Sequence, residues 1–387
     1  MKGLGVLLLL ATAAAAQELP KKASLRSVQP KYRLRHNYAL PAGVEAVAKP
    51  QIRQGRLGKD VTYFVDVDGN GKFNDWGVDG WSLSNMPYML PLEKTTIIGV
   101  NNITWDVAED GKSVHYRLTR MEITPAQRHI LIQFNLWRMM NGLPAVTVDQ
   151  ELSSACRKHC QYMELNDFDH KEEEGKPGYT PEGAKAGRRS CLSEMDPWTS
   201  VVMFYATFYH RLPLIDPATR AIGIGKSKRY SAMDGLTLRE ERAWRYPIII
   251  PAPNTFHHPT HFALEMSSPH PEDMKPGFPI TMTFRSGAIA EVKARLWRKF
   301  SREERKRQKR GGKQEEEELS VLVSWPGNPA NPTRLDNRKS ICIIPREPLR
   351  PRGDYRVHVT YKLDGQPRDR TWVFRTGPAG PQPMLHR

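Results

Sequence analysis

The spacing of apolar and polar positions changes period twice along the chain. Residues 62–67 (TYFVDV) alternate with the two-residue period of a half-buried strand. Residues 95–100 (TTIIGV) and 113–118 (SVHYRL) follow, separated by Asp-Gly turn signals at Asp79 and Asp110. These predict a small β module over residues 59–121. At Thr124 the period lengthens: Thr124 suits an N-cap, Pro125 suits the first helical position, and Ile130, Leu131, Phe134 and Met139 recur at helical spacing until Gly142. Further helices are expected over 149–165 and 200–209, and strands over 222–225 (IGIG) and 244–250 (WRYPIII). Residues 171–196 are polar and carry Gly175, Pro177, Gly178, Gly183 and Gly187. They read as a long loop, and such loops in compact domains are usually functional. From Pro251 the two-residue period returns in 278–284, 319–325, 340–344, 355–361 and 371–375, which predicts a β-sandwich. Residues 298–318 interrupt it with a basic block and then four Glu, a solvated insertion between strands.

The ends carry a different signal. Lys2 precedes an apolar run at residues 4–16 that closes in alanines, the pattern of a secretory signal peptide cleaved after Ala16. The run is too short to span a bilayer, and no other segment is apolar enough to be transmembrane. Residues 17–58 lack clear periodicity and read as a leader or linker, and 378–387 as a tail. A formal net charge of +16 favours acidic partners. In a secreted, periplasmic or cell-surface protein that means an anionic lipid or a cell-wall polyanion rather than nucleic acid, or simply a basic soluble surface. The cysteines are Cys156, Cys160, Cys191 and Cys342, an even count that allows a disulfide. Cys156 and Cys160 share a helix face, either could reach Cys191, and the alternative is that all four are small buried apolar residues.

Four separated elements carry a family resemblance over residues 124–226. Asn135 and Arg138 precede Gly142-Leu143-Pro144 and then Leu152; Phe168-Asp169-His170 follows; His210-Arg211 leads into the strand at Ile222–Gly225. In order and spacing these resemble the CAP superfamily of cysteine-rich secretory, antigen 5 and pathogenesis-related proteins, in its bacterial secreted form. The resemblance implies an α/β/α sandwich in which His170 and His210 line a central cleft, and binding of lipids, sterols or peptides in many members. Two acidic positions of the family have no counterpart. Gly187-Arg188-Arg189-Ser190 stands where a Gly-Glu-Asn element is usual, and residues 200–209 contain no acid. Glu182 and Glu194 are nearby substitutes. The C-terminal strands are similar in pattern to bacterial Ig-like modules.

The chemistry of these residues leaves several readings. His170 and His210 supply two imidazoles toward a Zn²⁺ site, which needs three or four ligands, and Asp169, Glu172 or Glu194 are candidate oxygens. Hydrolysis would need a nucleophile near a base. Ser190 and Cys191 lie beside Arg188 and Arg189, which would lower a neighbouring thiol's pKa. With arginines in place of the carboxylate, the cleft lined by His170, His210, Arg188, Arg189 and Glu194 would favour an anionic group. Asp66, Asp68, Asn70 and Asn74, with Gly71 at the sixth position, match the first nine positions of a Ca²⁺ loop. The twelfth position is Gly77, so a closing ligand is lacking unless Asp75 or Asp79 supplies it; a plain turn is the other reading. His257, His258 and His261, with His270, form a His-rich tract in a Pro-rich loop. Asn102-Ile103-Thr104 is a glycosylation acceptor sequence.

The expectation is therefore an α+β chain: signal peptide 1–16, leader 17–58, β module 59–121, CAP-like domain 122–250, Ig-like β-sandwich 251–377 and tail 378–387. Its expected function is non-catalytic binding of an extracellular lipid, peptide or anionic glycan between His170 and His210. A metal- or His-dependent extracellular hydrolase is the alternative.

Overall fold

The computed structural model describes residues 20–30, 34–36, 38, 40, 43–84, 88–240, 244, 246–263, 265–266, 268–271, 274–307, 315–328 and 339–378. The expected signal peptide lies outside them.

The strand signals of the β module are realised, and the stretch read as a leader adds to them. Gln51–Leu57 pairs antiparallel with Asp60–Asp66 about a tight turn at Gly58, and Lys21–Ser24 pairs with Ser113–Arg120. The pattern hid Gln51–Leu57 because its sequence, QIRQGRL, has few apolar positions. Its ladder to the apolar run at 60–66 holds it in place, and Leu57 joins Phe64, Trp81, Trp105 and Val114 in one core.

Helix α1 (Pro125–Met140) opens on a reciprocal capping box: Gln127 N donates to Thr124 Oγ1 at 3.2 Å, and Thr124 N donates to Gln127 Oε1 at 3.0 Å. Helix α2 (Gln150–Leu165) starts at Asp149, which accepts Leu152 N at 2.8 Å. The stretch read as a loop is partly regular, holding α3 (Pro181–Gly187) and the strand Ser190–Ser193. Helix α4 (Pro197–Tyr205) stops short of the expected 209, and a single turn, α5 (Arg211–Leu214), restarts after His210. Tertiary partners take the backbone groups there: Ala206 O accepts Ala263 N at 3.0 Å, and Glu265 takes the N–H groups of Phe208 and His210.

Thr147–Val148, Ala221–Lys226, Ser231–Asp234 and Ser190–Ser193 form one sheet in that order. Strand alternation divides its side chains. Cys191, Ile222, Ile224 and Met233 pack with Ile130, Leu131 and Phe134 of α1 and Phe204 of α4. Leu192 and Ala232 pack with Cys156, Cys160 and Met163 of α2 and Ala186 of α3. Helices thus cover both faces. The IGIG run is explained by α2: a Cβ at Gly225 would lie 2.3 Å from the carbonyl carbon of Cys156, so the helix backbone can rest on the strand only where the side chain is missing.

The C-terminal strands form two four-stranded sheets. Ile280, Met282, Ile341 and Ile343 of one share a core with Leu296, Val357, Val359, Trp372 and Phe374 of the other. Leu143, Met203, Tyr205 and Phe208 belong to the same core, so this unit packs directly on the helical region. Arg211 stitches the two. It is fully buried, donates to Tyr205 O at 2.7 Å and Pro279 O at 2.8 Å, and lies 4.4 Å over the Phe278 ring. The stretch read as a solvated insertion is strand at both ends: Glu316–Leu319 pairs with Ile289–Lys299, and the buried Arg298 reaches Glu304 and Glu317, each at 2.8 Å.

Candidate functional site

Both histidines lie beyond the ends of the helices before them. α2 ends at Leu165, and His170 follows in an exposed loop. Its Nδ1 lies 2.8 Å from Gly187 O. A carbonyl can only accept, so Nδ1 carries the proton and donates. Below it stands a histidine that the sequence reading did not single out. His159 is completely buried, with Nδ1 2.9 Å from Glu172 Oε1 and Nε2 3.0 Å from Asp169 O. Glu172 also accepts Thr180 N at 3.0 Å. This pair fixes the loop that carries His170. A Cβ at Gly187 would strike the His159 ring at 2.3 Å, which explains glycine there.

His210 caps α5, its ring stacked on Phe204 at 5.2 Å and its side chain 25% exposed. Its partner comes from outside the helical region. Glu265 is buried, and its Oε1 lies 2.9 Å from His210 Nδ1. The angle at Nδ1 misses that of a hydrogen bond, so this is a close electrostatic contact. The carboxylate is fixed by backbone instead: Oε1 accepts His210 N at 2.8 Å and Oε2 accepts Phe208 N at 3.0 Å. No pattern within residues 200–209 could have announced Glu265, because it is supplied by tertiary packing.

Segment 187–191 joins the two histidines. His170 binds the carbonyl of Gly187, and Cys191 Sγ donates to the carbonyl of His210 at 3.4 Å. Four residues span at most about 14 Å. Arg188 and Arg189 lie between, both exposed. Arg189 donates to Thr237 Oγ1 at 3.4 Å, and neither arginine forms an ion pair among the described residues. Glu194 is exposed and 3.4 Å from Arg229, so it neutralises another cation. Cys191 is buried, and all four cysteines are free of disulfides. Burial pushes the Cys156 and Cys160 thiols up to about 12, the opposite of activation. The result is a cationic strip with an imidazole at each end.

Among the described residues, one group of three side chains has the spacing to hold a metal, and it includes neither histidine: Asp66, Asp68 and Asp79, with ligand atoms within 4.8 Å of one another. Asp66 and Asp79 are buried. Asp79 thus stands where the loop pattern lacked its closing ligand. Asp66 accepts Gly69 N at 2.8 Å and Gly71 N at 3.0 Å, while Asn70 Nδ2 donates to Asp68 Oδ2 at 3.1 Å and Asp75 Oδ2 at 2.5 Å. Asn74 is half-buried beside them in sequence. Burial pushes the Asp79 carboxyl up to about 7 and raises Asp66.

The His-rich tract disperses. His258 is buried with Nδ1 3.1 Å from Tyr205 Oη and Nε2 2.7 Å from Thr255 Oγ1, whereas His261 Nδ1 meets Thr260 Oγ1 at 2.6 Å.

Residues 131–234 match the model of the family described as "CAP: Cysteine-rich secretory protein family". That span runs from α1 to the strand Ser231–Asp234, so the match takes in the sheet and helices around His170 and His210. Among solved structures, the chain is similar to an extracellular protein containing a SCP domain from Bacillus anthracis, with 13% identity, a TM-score of 0.25, and coverage of 56% of this chain and 88% of that one. It is also similar to a cysteine-rich secretory protein from Staphylococcus aureus, with 9% identity, a TM-score of 0.21, and coverage of 48% of this chain and 79% of that one. A search of curated proteins finds no match. No helix among the described residues is long and apolar enough to cross a membrane.

Proposed function

We propose that this is a secreted CAP-domain protein that binds an anionic extracellular ligand, a lipid headgroup or an acidic glycan, along the strip from His170 past Arg188 and Arg189 to His210. The observation that carries the reading is the pair of exposed arginines without carboxylate partners, set between two imidazoles. Two unneutralised guanidiniums offer charge-assisted, bidentate contacts to phosphate or carboxylate oxygens. The burial of Cys191, whose Sγ donates to a carbonyl, supports binding over attack by a thiol nucleophile. The signal-like N-terminus supports secretion, and the Ig-like reading of the C-terminal sheets supports a role as a surface-facing support. Binding to anionic vesicles and to an acidic glycan, compared between the native protein and Arg188→Ala/Arg189→Ala, tests the proposal.

A second reading concerns the β module. Asp66, Asp68 and Asp79, with Asn70 beside them, form a Ca²⁺ site in which Asp79 replaces the missing twelfth-position ligand. The convergence of three carboxylates, two of them buried, supports it. A cation would offset their mutual repulsion and hold the loop. Thermal melting with and without Ca²⁺ is the test.

A further inference from the structure

A cavity of about 580 Å³ lies in the C-terminal unit, remote in sequence from the CAP-family segment. Its wall comes from three cross-linked stretches, the turn at residues 254–257 and the segments 352–354 and 373–378, and from the end of the strand Ile289–Lys299.

Charge is the first observation. Lys299, Arg352 and Arg375 line the cavity against a single carboxylate, Asp354. That carboxylate is committed: Arg375 Nε and Nη2 grip its two oxygens, each at 2.6 Å. Lys299 and Arg352 form no ion pair among the described residues. Two cations therefore face the cavity without a salt-bridge partner, Lys299 feeling only the Glu316 carboxylate across its strand pair, with His257 beside them.

Backbone conformation is the second. Asn254 (φ 62°), His257 (φ 67°) and Arg352 (φ 54°) all sit in the left-handed region, half of the six non-glycine residues that do so among the described residues. The conformation costs about 1–2 kcal/mol at a residue with a Cβ. It is imposed here by cross-links between the three stretches. Asn254 N donates to Val373 O at 2.7 Å, Arg352 N to Gly377 O at 2.7 Å, and Gly377 N to His258 O at 2.8 Å. Strained residues gathered around one cavity, with their backbones tied down, are the arrangement found at ligand clamps. The neighbouring imidazole, His258, turns the other way into the core, which leaves His257 at the cavity.

We infer that this cavity binds a compact dianion, a phosphate or sulfate ester, carried on a sugar-sized body. Two cations without a salt-bridge partner match two negative charges. The volume exceeds what a bare oxyanion fills and falls in the usual range for small-molecule sites. Phe256, also in the lining, offers an apolar face to the body of the ligand. The site is separate from the strip of Arg188 and Arg189.

Calorimetry and thermal melting with inorganic phosphate, glucose 6-phosphate and glucose test this. Three proteins are compared: native, Lys299→Gln/Arg352→Asn, and Arg188→Ala/Arg189→Ala. Asparagine tolerates the left-handed conformation at 352, so the charge is removed without new strain. Glucose 6-phosphate is expected to bind at least threefold more tightly than phosphate, and glucose not at all. Affinity should fall at least tenfold in the Lys299/Arg352 variant and stay unchanged in the Arg188/Arg189 variant. If the double variant unfolds, Lys299→Gln alone, on an exposed strand end, should weaken binding about threefold. Equal binding of glucose 6-phosphate by native and Lys299/Arg352-substituted protein, or no binding at 10 mM beyond that of a matched chloride solution, overturns the inference. Equal affinity for phosphate and glucose 6-phosphate overturns the sugar-sized part of it.

Discussion

Glu265 Oε1 stands 2.9 Å from Nδ1 of His210 and accepts that residue's own backbone N–H at 2.8 Å. A carboxylate from the C-terminal side of the chain thus fills the surroundings of a histidine whose flanking helices, α4 and α5, offer no acid. Because Glu265 also satisfies Phe208 N–H, it ends α4 and orients His210 together. Glu265→Ala would strand two buried donors, at about 1–3 kcal/mol each. Urea denaturation should show a loss of about 2–5 kcal/mol. Glu265→Gln, which keeps one acceptor, should lose about half as much. A loss under 0.5 kcal/mol in Glu265→Ala would mean that the contact does not organise the turn.

His258 makes acid stability testable. Asn141 Nδ2 donates to Tyr205 Oη, which donates to His258 Nδ1; His258 Nε2–H donates to Thr255 Oγ1, which donates to Ala252 O. The chain needs a neutral imidazole. Burial, then the Arg211 charge, lowers the His258 pKa to about 3. The unfolded chain, with a pKa of about 6.5, binds this proton first, so the contribution is complete above about pH 6.5 and is lost as pH falls toward 3. The loss approaches about 1.4 kcal/mol per pH unit in that window. Between pH 7 and pH 5 the native protein should lose about 2 kcal/mol more stability than His258→Gln does over the same interval. Equal pH slopes for the two proteins would refute the assignment.

The Asp66, Asp68 and Asp79 cluster predicts calcium-dependent melting. Millimolar Ca²⁺ should raise the melting temperature of the native protein by several degrees through preferential binding to the folded state. Asp66→Ala and Asp79→Asn should abolish the shift, and magnesium should reproduce little of it. An unchanged melting curve in 5 mM Ca²⁺ would rule the site out.

Gly225 tests the packing of α2. Gly225→Ala places a methyl 2.3 Å from the Cys156 carbonyl carbon, a backbone atom that cannot yield cheaply. Overpacking of this kind costs about 1–3 kcal/mol. The same change at exposed Gly175, where a Cβ meets nothing within 4 Å, should cost less even though its φ of 88° is unfavourable.

Much of the fold was legible where local chemistry decides it. Thr124-Pro125 and Asp149 fixed the starts of α1 and α2, and the IGIG strand lies where its pattern placed it. The misreadings share a cause. Gln51–Leu57, α3 and the early end of α4 depend on partners distant in sequence: the 60–66 strand, the buried His159–Glu172 pair and Glu265. His170 and His210 stand out in the chain because the resemblance spaces them, and Arg188 and Arg189 because they break its pattern. Glu265 could not, since nothing local ties an acid in a Pro-rich stretch to a helix 55 residues earlier. The acidic cluster was half legible: Asp66, Asp68 and Asn70 follow one another in sequence, and Asp79 joins Asp66 and Asp68 only when the chain folds.

The most direct measurement of the central claim is co-sedimentation of the protein with vesicles of phosphatidylcholine alone and with one-third phosphatidylglycerol, at physiological salt, with an acidic glycan as competitor. The native protein should bind the anionic vesicles at least tenfold more tightly than the neutral ones. Arg188→Ala/Arg189→Ala should lose most of that preference while keeping its melting temperature, and Lys299→Gln/Arg352→Asn should retain it. An anionic preference that survives removal of both Arg188 and Arg189, or failure of the native protein to bind either anionic vesicles or the glycan, would contradict the account.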